Sequence, residues 1–311
     1  MRVQISLFAP KKGKCMNIQS LSIVVPNKKC INDCAFCVSK MHTEDYKNMM
    51  DSNLPFYDLY EKDYIKRLEF ARDNGCNTVM LTGNSEPQQN RGFLQRFGTM
   101  NNNLPRPFRW IEMQTTGVLI DEPYLRFLRN HVGVSTISIS LSSLDDKQNS
   151  EYNGTPIGNE VDIEALCQMI KKYDFNLRLS LNLTNYYNYI KSFEDIESLF
   201  DQLYSRFGAD QVTFRVLYTS KKLTKQDEWI NQNNCDDEVI KRIIKYVKIK
   251  GNKLETLSYG AIKYSVKDVS VVIDNDCMAE DTEKIDVYKY LILRENCKLY
   301  SKWDDKASLI F

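Results

Sequence analysis

A chain of 311 residues carries 42 basic and 41 acidic side chains, giving a formal net charge of +1 at pH 7. That balance sets up no protein-wide field to draw in nucleic acid or anionic membrane, although a local basic groove stays open to it. The length suits one large α/β domain or a domain with an addition, and neither an apolar leader in MRVQISLFAPKKGK nor any run of about 18 apolar residues is present, so a soluble cytoplasmic protein is expected.

In chain order, RVQISLF, the KKGK turn and MNIQSLSIVV read as an N-terminal strand pair, a unit assigned to residues 1–20, and Pro26 ends the run. A cysteine-rich loop follows, then a polar stretch to Asp51 and Ser52, either of which suits the cap of a helix with Pro55 in its first turn. FYDLYEKDYIKRLEFARDNG places Leu59, Tyr60, Tyr64, Leu68 and Ala71 on one helical face, and Gly75 closes it. NTVMLT then leads into the loop GNSEPQQN, and FRWIEMQ ends at TTG. EPYLRFLRNH reads as a short helix. STISISL, helix VDIEALCQMIKKY, LRLSLNL, helix FEDIESLFDQLYSRF, QVTFRVLY and helix DDEVIKRIIKYVK complete the series.

Counting SLSIVV, six strands separated by helical patterns predict parallel βαβ units, which right-handed crossovers curl into an open barrel. The expected fold is α/β, a partial (β/α)6 TIM-like barrel over residues 21–250. Beyond Gly251, LETLSY, AIKYSVKDVSVVID, YKYLILREN, KLYSKW and ASLIF predict a β-rich C-terminal extension of the same domain over residues 251–311.

Strands covered on both faces of a parallel sheet usually read as continuous apolar runs. Here Ile137, Ile139 and Leu141 alternate with Ser138, Ser140 and Ser142. Leu177, Leu179, Leu181 and Leu183 oppose Arg178, Ser180, Asn182 and Thr184, and Trp110, Glu112 and Gln114 oppose Ile111 and Met113. Helices need the apolar face, so the polar face points into the barrel, and the interior is wide and wet enough for a polar ligand. Antiparallel strands with one solvated face would also alternate in this way; the intervening helices speak against them.

KKCINDCAFCVSK places Cys30, Cys34 and Cys37 in a CxxxCxxC spacing that suits metal rather than disulfides. A closed structural zinc site takes four ligands, as do most iron–sulfur clusters, so three cysteines leave one position for something that is not protein. One alternative is a Cys₃His zinc site completed by His42, in a non-catalytic binding protein for a partner such as RNA. Cys15, Cys76, Cys167, Cys235, Cys277 and Cys297 are scattered singly; the spacing of the last three suits free thiols better than a second cluster.

A CxxxCxxC loop after the first strand of a βα series, with Phe36 just before the third cysteine, resembles the radical S-adenosylmethionine (SAM) superfamily. LTGNSEP, Leu81 to Pro87, at the end of the second strand is similar to that superfamily's GGEP motif, with Asn84 standing where the first Gly is usual. The resemblance covers about residues 20 to 220. It implies that Cys30, Cys34 and Cys37 ligate three irons of a [4Fe–4S] cluster, with the fourth iron chelated by the amino and carboxylate groups of SAM. Gly83, Asn84, Ser85 and Glu86 would border the amino group, with Glu86 as charged acceptor, and Phe36 would lie by the adenine. Ser140, Ser142 and Asn182 would serve the ribose and carboxylate, as would Arg215.

The implied activity is reductive cleavage of SAM to a 5′-deoxyadenosyl radical that abstracts hydrogen from a substrate. A one-electron donor such as flavodoxin or ferredoxin is implied as partner. A small metabolite or nucleotide is the favoured substrate, with a peptide or RNA as alternatives. SSLDDKQNSEYNGTPIGNEVD and TNYYNYIKS are the loops best suited to cover the site, and Tyr186, Tyr187 and Tyr189 either stack on a planar substrate or pack their own loop.

Overall fold

The protein was analysed as a computed structural model that describes residues 17–50, 57–220, 222–257, 261–274 and 287–310. The first strand of the expected N-terminal pair, the proposed caps Asp51 and Ser52, Pro55, Cys15 and Cys277 lie outside the described residues.

The strands are β1 (Asn17–Val24), β2 (Thr78–Thr82), β3 (Trp110–Thr115), β4 (Thr136–Leu141), β5 (Asn176–Asn182), β6 (Gln211–Arg215), β7 (Asn252–Thr256), β8 (Ile262–Val266), β9 (Val269–Asp274), β10 (Val287–Leu293) and β11 (Leu299–Tyr300). The helices are α1 (Val38–Met41), α2 (Thr43–Met49), α3 (Tyr57–Asp73), α4 (Arg91–Asn102), α5 (Glu122–Phe127), α6 (Asp146–Tyr152), α7 (Ile163–Lys172), α8 (Phe193–Asp201), α9 (Lys225–Asn233) and α10 (Asp237–Lys250). All strands join one sheet in the order β11-β10-β1-β2-β3-β4-β5-β6-β9-β8-β7. From β10 to β9 every neighbouring pair is parallel, and the sheet does not close.

The six expected strands are all present. The C-terminal β-rich stretch is also present, and it extends both edges of the sheet: β10 pairs parallel with β1, and β9 parallel with β6. Short strands of sequence-distant segments carry no sign of which edge they will pair with, so this placement is a tertiary outcome. β11 then pairs antiparallel with β10, and Tyr300 bridges Leu309, so the tail covers that edge.

The alternation in β4 and β5 divides the molecule as expected. Ile137, Ile139, Leu141, Leu177, Leu179, Leu181 and Leu183 are buried in the main core with Leu166, Ile170, Ile196 and Leu199 of the helices. The opposite face lines a curled lumen. Glu112 on β3 reaches Arg178 on β5 at 2.5 Å, past the intervening β4, as a concave sheet allows.

α3 buries Tyr64, Leu68 and Ala71 on one face, in agreement with its periodicity. The sequence reading passes directly from GNSEPQQN to the third strand, whereas the structure places α4 between them. Two glycines and several asparagines mask that helix by propensity, yet Phe93, Leu94, Phe97 and Met100 form a buried stripe. Gly98 is needed there, because a Cβ would fall 2.0 Å from the His131 carbonyl oxygen of the neighbouring helical turn. α6 likewise occupies a stretch that reads as a loop, and α9 falls between the sixth strand and the last predicted helix, where no element is predicted.

Candidate active site

The cysteine loop lies just past the C-terminal end of β1 and is stitched to the loop after β2. Asn27 donates to Ser85 Oγ at 2.9 Å and to the Glu86 carbonyl at 3.1 Å. The Ile31 amide donates to Gln89 Oε1 at 2.8 Å, Gln89 Nε2 donates to the Lys29 carbonyl, and Asn90 Nδ2 donates to the Pro26 carbonyl at 2.6 Å. On its other side the loop leans on the last residue of α6 and the turn that follows it. The Asp33 amide donates to the Gly154 carbonyl and the Ala35 amide to the Tyr152 carbonyl. Gly154 has φ +54°, and a Cβ there would meet the Asp33 carbonyl oxygen at 2.5 Å, so the approach requires glycine. Cys37 precedes α1, and the Lys40 amide donates back to its carbonyl. Phe36 faces Trp229 of α9 with ring centroids 5.8 Å apart, and Trp229 meets Tyr152 edge-on at 5.1 Å.

A cavity of about 240 Å³ opens beneath this loop. Cys30, Cys34, Phe36 and Cys37 line it, together with Gly83, Asn84, Ser85 and Glu86. Ser140, Asn182 and Arg215 complete the set brought together from distant strands. Ser142 is the exception among the expected residues. It is fully buried and turned into a network, its amide donating to Asn149 Oδ1 at 2.9 Å and its hydroxyl to Asn153 Oδ1 at 3.1 Å. Asn182 Nδ2 donates to Ser140 Oγ at 3.0 Å.

The electrostatics suit a positively charged guest. Burial pushes the thiols of Cys30, Cys34 and Cys37 up, and repulsion from Cys37 adds to the rise at Cys30 and Cys34. Bound iron reverses that logic, since a coordinating thiol is deprotonated outright. Burial also raises Glu86, although its Oε2 accepts from the Thr116 amide and hydroxyl at 3.0 Å each. Glu86 additionally caps the short 3₁₀ turn Pro87–Gln89, so the carboxylate has a structural duty as well as a place at the cavity.

Several polar atoms here have no protein partner. Ser180 Oγ, Arg215 Nε and Asn84 Oδ1 are buried without a hydrogen bond, and all three residues line the cavity. A polar ligand with donors and acceptors of its own satisfies them.

Sequence reasoning did not single out Ser180, Trp229, Asn27, Gln89 or Glu295. Ser180 was visible in the β5 alternation. Glu295, which accepts from Asn84 Nδ2 at 3.1 Å, comes from the turn after β10 and had no local signal. Tyr187 is fully buried in the core and meets Tyr186 edge-on at 5.0 Å, so that loop packs on itself. His42 directs Nδ1 to Asp45 Oδ2 at 2.7 Å, with Lys222 also on Asp45 and Asp304 at 3.6 Å. Its imidazole therefore serves a carboxylate cluster that already contains an ammonium group. Cys235 sits beside the end of β5 and Cys297 in the turn after β10, on separate parts of the sheet.

Half-buried thiols, a glycine-bearing acidic loop and a polar lumen converge at the C-terminal ends of parallel strands, the face that carries the chemistry of (β/α) barrels. Fold and site together define an open parallel α/β barrel with three cysteines at the mouth of a polar cavity. The chain belongs to the radical SAM superfamily, whose family profile matches residues 24–203, more than half of the sequence. That membership sets the cofactors, a [4Fe–4S] cluster and SAM.

Among solved structures, the chain is similar to anSMEcpe with bound AdoMet and Cp18Cys peptide, with TM-score 0.51 and 14% identity over 75% of this chain and 59% of that one. It is also similar to coproporphyrinogen III oxidase (HemN) from Escherichia coli, described as a radical SAM enzyme, with TM-score 0.50 and 11% identity over 84% of this chain and 63% of that one. The chain thus spans about six-tenths of the length of these neighbours, and likeness at such identity speaks to the fold alone. No curated protein matches by sequence. Among the described residues no helix is long and apolar enough to cross a membrane.

Proposed function

We infer that this protein is a radical SAM enzyme acting in the cytoplasm on a small molecule, with Cys30, Cys34 and Cys37 as the three protein ligands of the cluster. The observation that carries the reading is that these thiols share one cavity with Gly83–Glu86 and with the unpartnered Ser180 Oγ and Arg215 Nε. The cavity fits SAM by its donor set: carboxylate and carbonyl acceptors from the GNSEP loop on one side, hydroxyl, amide and guanidinium groups of β4, β5 and β6 on the other.

When bound, the cluster and SAM supply one-electron reductive cleavage and hydrogen-atom abstraction. The chain's own residues bind, orient and exclude. Glu86 and the Asn84 carboxamide accept from the amino group of SAM. Asn182, held by Ser140, and the Arg215 guanidinium serve the ribose hydroxyls and the carboxylate. Phe36, braced by Trp229, presents its ring and backbone to the adenine. Gly154 and the Asn27, Gln89 and Asn90 hydrogen bonds fix the cysteine loop, so the ligands need little reorganisation on metal binding. A one-electron donor such as flavodoxin or ferredoxin completes the system.

Anaerobic reconstitution with iron and sulfide, reduction with dithionite and assay of 5′-deoxyadenosine from SAM tests the reading. About four irons per chain and 5′-deoxyadenosine formation are expected. Zinc in place of iron, or an intact cluster that never cleaves SAM, contradicts it.

A further inference from the structure

The C-terminal extension delivers a carboxylate to the cofactor end of the barrel. β10 runs parallel to β1, with Ile23 opposite Leu293, so the chain leaves β10 on the same rim as the cysteine loop. Residues 294–298 then make the turn into β11. The Cys297 amide donates to the Arg294 carbonyl at 2.9 Å, and the Arg294 amide donates to the Lys298 carbonyl at 3.0 Å. The end of α2 anchors this turn: Asn296 Nδ2 donates to the Met49 carbonyl at 3.0 Å, and the Tyr300 hydroxyl donates to the same oxygen at 3.2 Å. Glu295 is therefore presented from a fixed frame.

Its Oε1 accepts from Asn84 Nδ2 at 3.1 Å. An ionised carboxylate only accepts, so the NH2 group of Asn84 must face Glu295 and the carboxamide oxygen is turned the other way. That oxygen is buried with no partner in the protein, and Asn84 lines the cavity shared by Cys30, Cys34, Cys37 and Glu86. A buried acceptor left unpaired is costly, and a guest that brings a donor removes the cost. Glu295 Oε2 is likewise buried without a partner. Burial raises the Glu295 carboxyl, as it raises Glu86, while Arg294 draws Glu295 down. A cationic guest at this end favours the charged form of both.

The cationic guest beside Gly83–Glu86 is the amino group of SAM in the reading above. Where the superfamily motif has a glycine this chain has Asn84, so the side-chain acceptor and the residue that orients it are particular to this chain. Resting on the radical SAM assignment, we propose that Glu295 is a positioning residue for SAM: it holds the Asn84 carboxamide by its NH2 group, so that Asn84 Oδ1 accepts from the α-amino group beside Glu86. Without Glu295 the carboxamide can turn about its last bond and set a donor against an ammonium donor. Glu295 lies beyond residues 24–203, which the family profile matches. The C-terminal extension thus takes part in cofactor binding as well as covering a sheet edge.

Calorimetric titration of the anaerobically reconstituted protein with SAM and with 5′-methylthioadenosine tests this, because the second ligand keeps the adenosine and sulfur but has no amino group. Glu295→Ala should weaken SAM about five- to tenfold and leave 5′-methylthioadenosine within about twofold. Glu295→Met, which fills the same space without an acceptor, is measured beside it and should behave alike. Glu295→Gln keeps an acceptor for Asn84 Nδ2 and should return SAM binding to within about twofold of the native chain. Asn84→Ala should weaken SAM by a factor similar to Glu295→Ala. The double variant Asn84→Ala/Glu295→Ala should be no weaker than Asn84→Ala alone, since Glu295 acts through Asn84. Equal losses for the two ligands, losses that multiply in the double variant, or a Glu295→Gln as weak as Glu295→Ala overturn the proposal. 5′-Deoxyadenosine formation by the native chain separates the two claims. SAM cleavage together with Glu295 variants that bind SAM normally removes this inference alone, and a native chain that neither binds nor cleaves SAM removes the assignment on which it rests.

Discussion

The two faces of β4 and β5 are built from alternate residues of the same strands and do opposite things. The outward leucines and isoleucines are dry, fully buried and matched by helices, and they carry the stability. The inward serines, Asn182 and Arg178 occur at alternate positions of the same strands, yet Ser180 Oγ is left without a partner. In a native fold such an orphan stands out, because buried polar groups are nearly always satisfied. The comparison teaches that one strand sequence can encode scaffold and site together, at a period of two.

The largest expected separation of the two roles comes from Cys34→Ala. It should abolish 5′-deoxyadenosine formation and lower bound iron while leaving the melting temperature of the metal-free protein within a few degrees. A large drop in that melting temperature would make the loop part of the scaffold instead. Next comes a pair of neighbours on β5. Leu179→Ala, on the dry face, should cost about 2–5 kcal/mol in chemical denaturation. Ser180→Ala, one residue on, should change stability by less than about 0.5 kcal/mol and weaken SAM binding several-fold. Equal stability losses would erase the distinction between the faces.

Gly154→Ala probes the junction of the two roles. Its left-handed backbone and the 2.5 Å approach to Asp33 should cost about 1–3 kcal/mol and disturb cluster loading, read as iron content after reconstitution. The smallest effect concerns α9, which carries Trp229. Burial works against ionisation of Asp227, but bonds from the Ser220 and Thr224 hydroxyls and amides win and hold it down to about 2. A depressed carboxyl contributes stability that is fully present above its unfolded value near 3.9 and is lost as pH falls towards 2. Asp227→Ala should therefore cost about 1–2 kcal/mol at pH 7 and progressively less below pH 4, followed by Trp229 fluorescence.

Much of this was legible in the sequence because it is local. Alternation in β4 and β5, the CxxxCxxC loop and GNSEP each announce themselves within a dozen residues. What stayed hidden depends on contacts between distant segments. α4 was masked by Gly92 and Gly98, and Gly98 exists for a close approach to His131 that no local pattern reveals. The parallel pairing of β10 with β1, and hence the place of Glu295 and Trp303 near the lumen, joins residues some 270 apart, with pairs such as Ile18 and Tyr288. Ser142 continues the β4 alternation in sequence, yet the strand ends at Leu141 and its hydroxyl is taken by Asn153 Oδ1 just past α6, leaving it only an acceptor for Asn182 Nδ2 at 3.4 Å. Asn84, which departs from the usual glycine, has its explanation in Glu295, a partner 211 residues away.

The central claim is that three thiolates leave one iron of the cluster open to SAM. Electron paramagnetic resonance of the reduced, reconstituted protein, recorded with and without SAM, tests it most directly. The account expects the cluster signal to change its g values on SAM addition, and to keep them when the same buffer without SAM is added instead. A cluster signal identical with and without SAM would contradict it, because no iron would then be available to the cofactor.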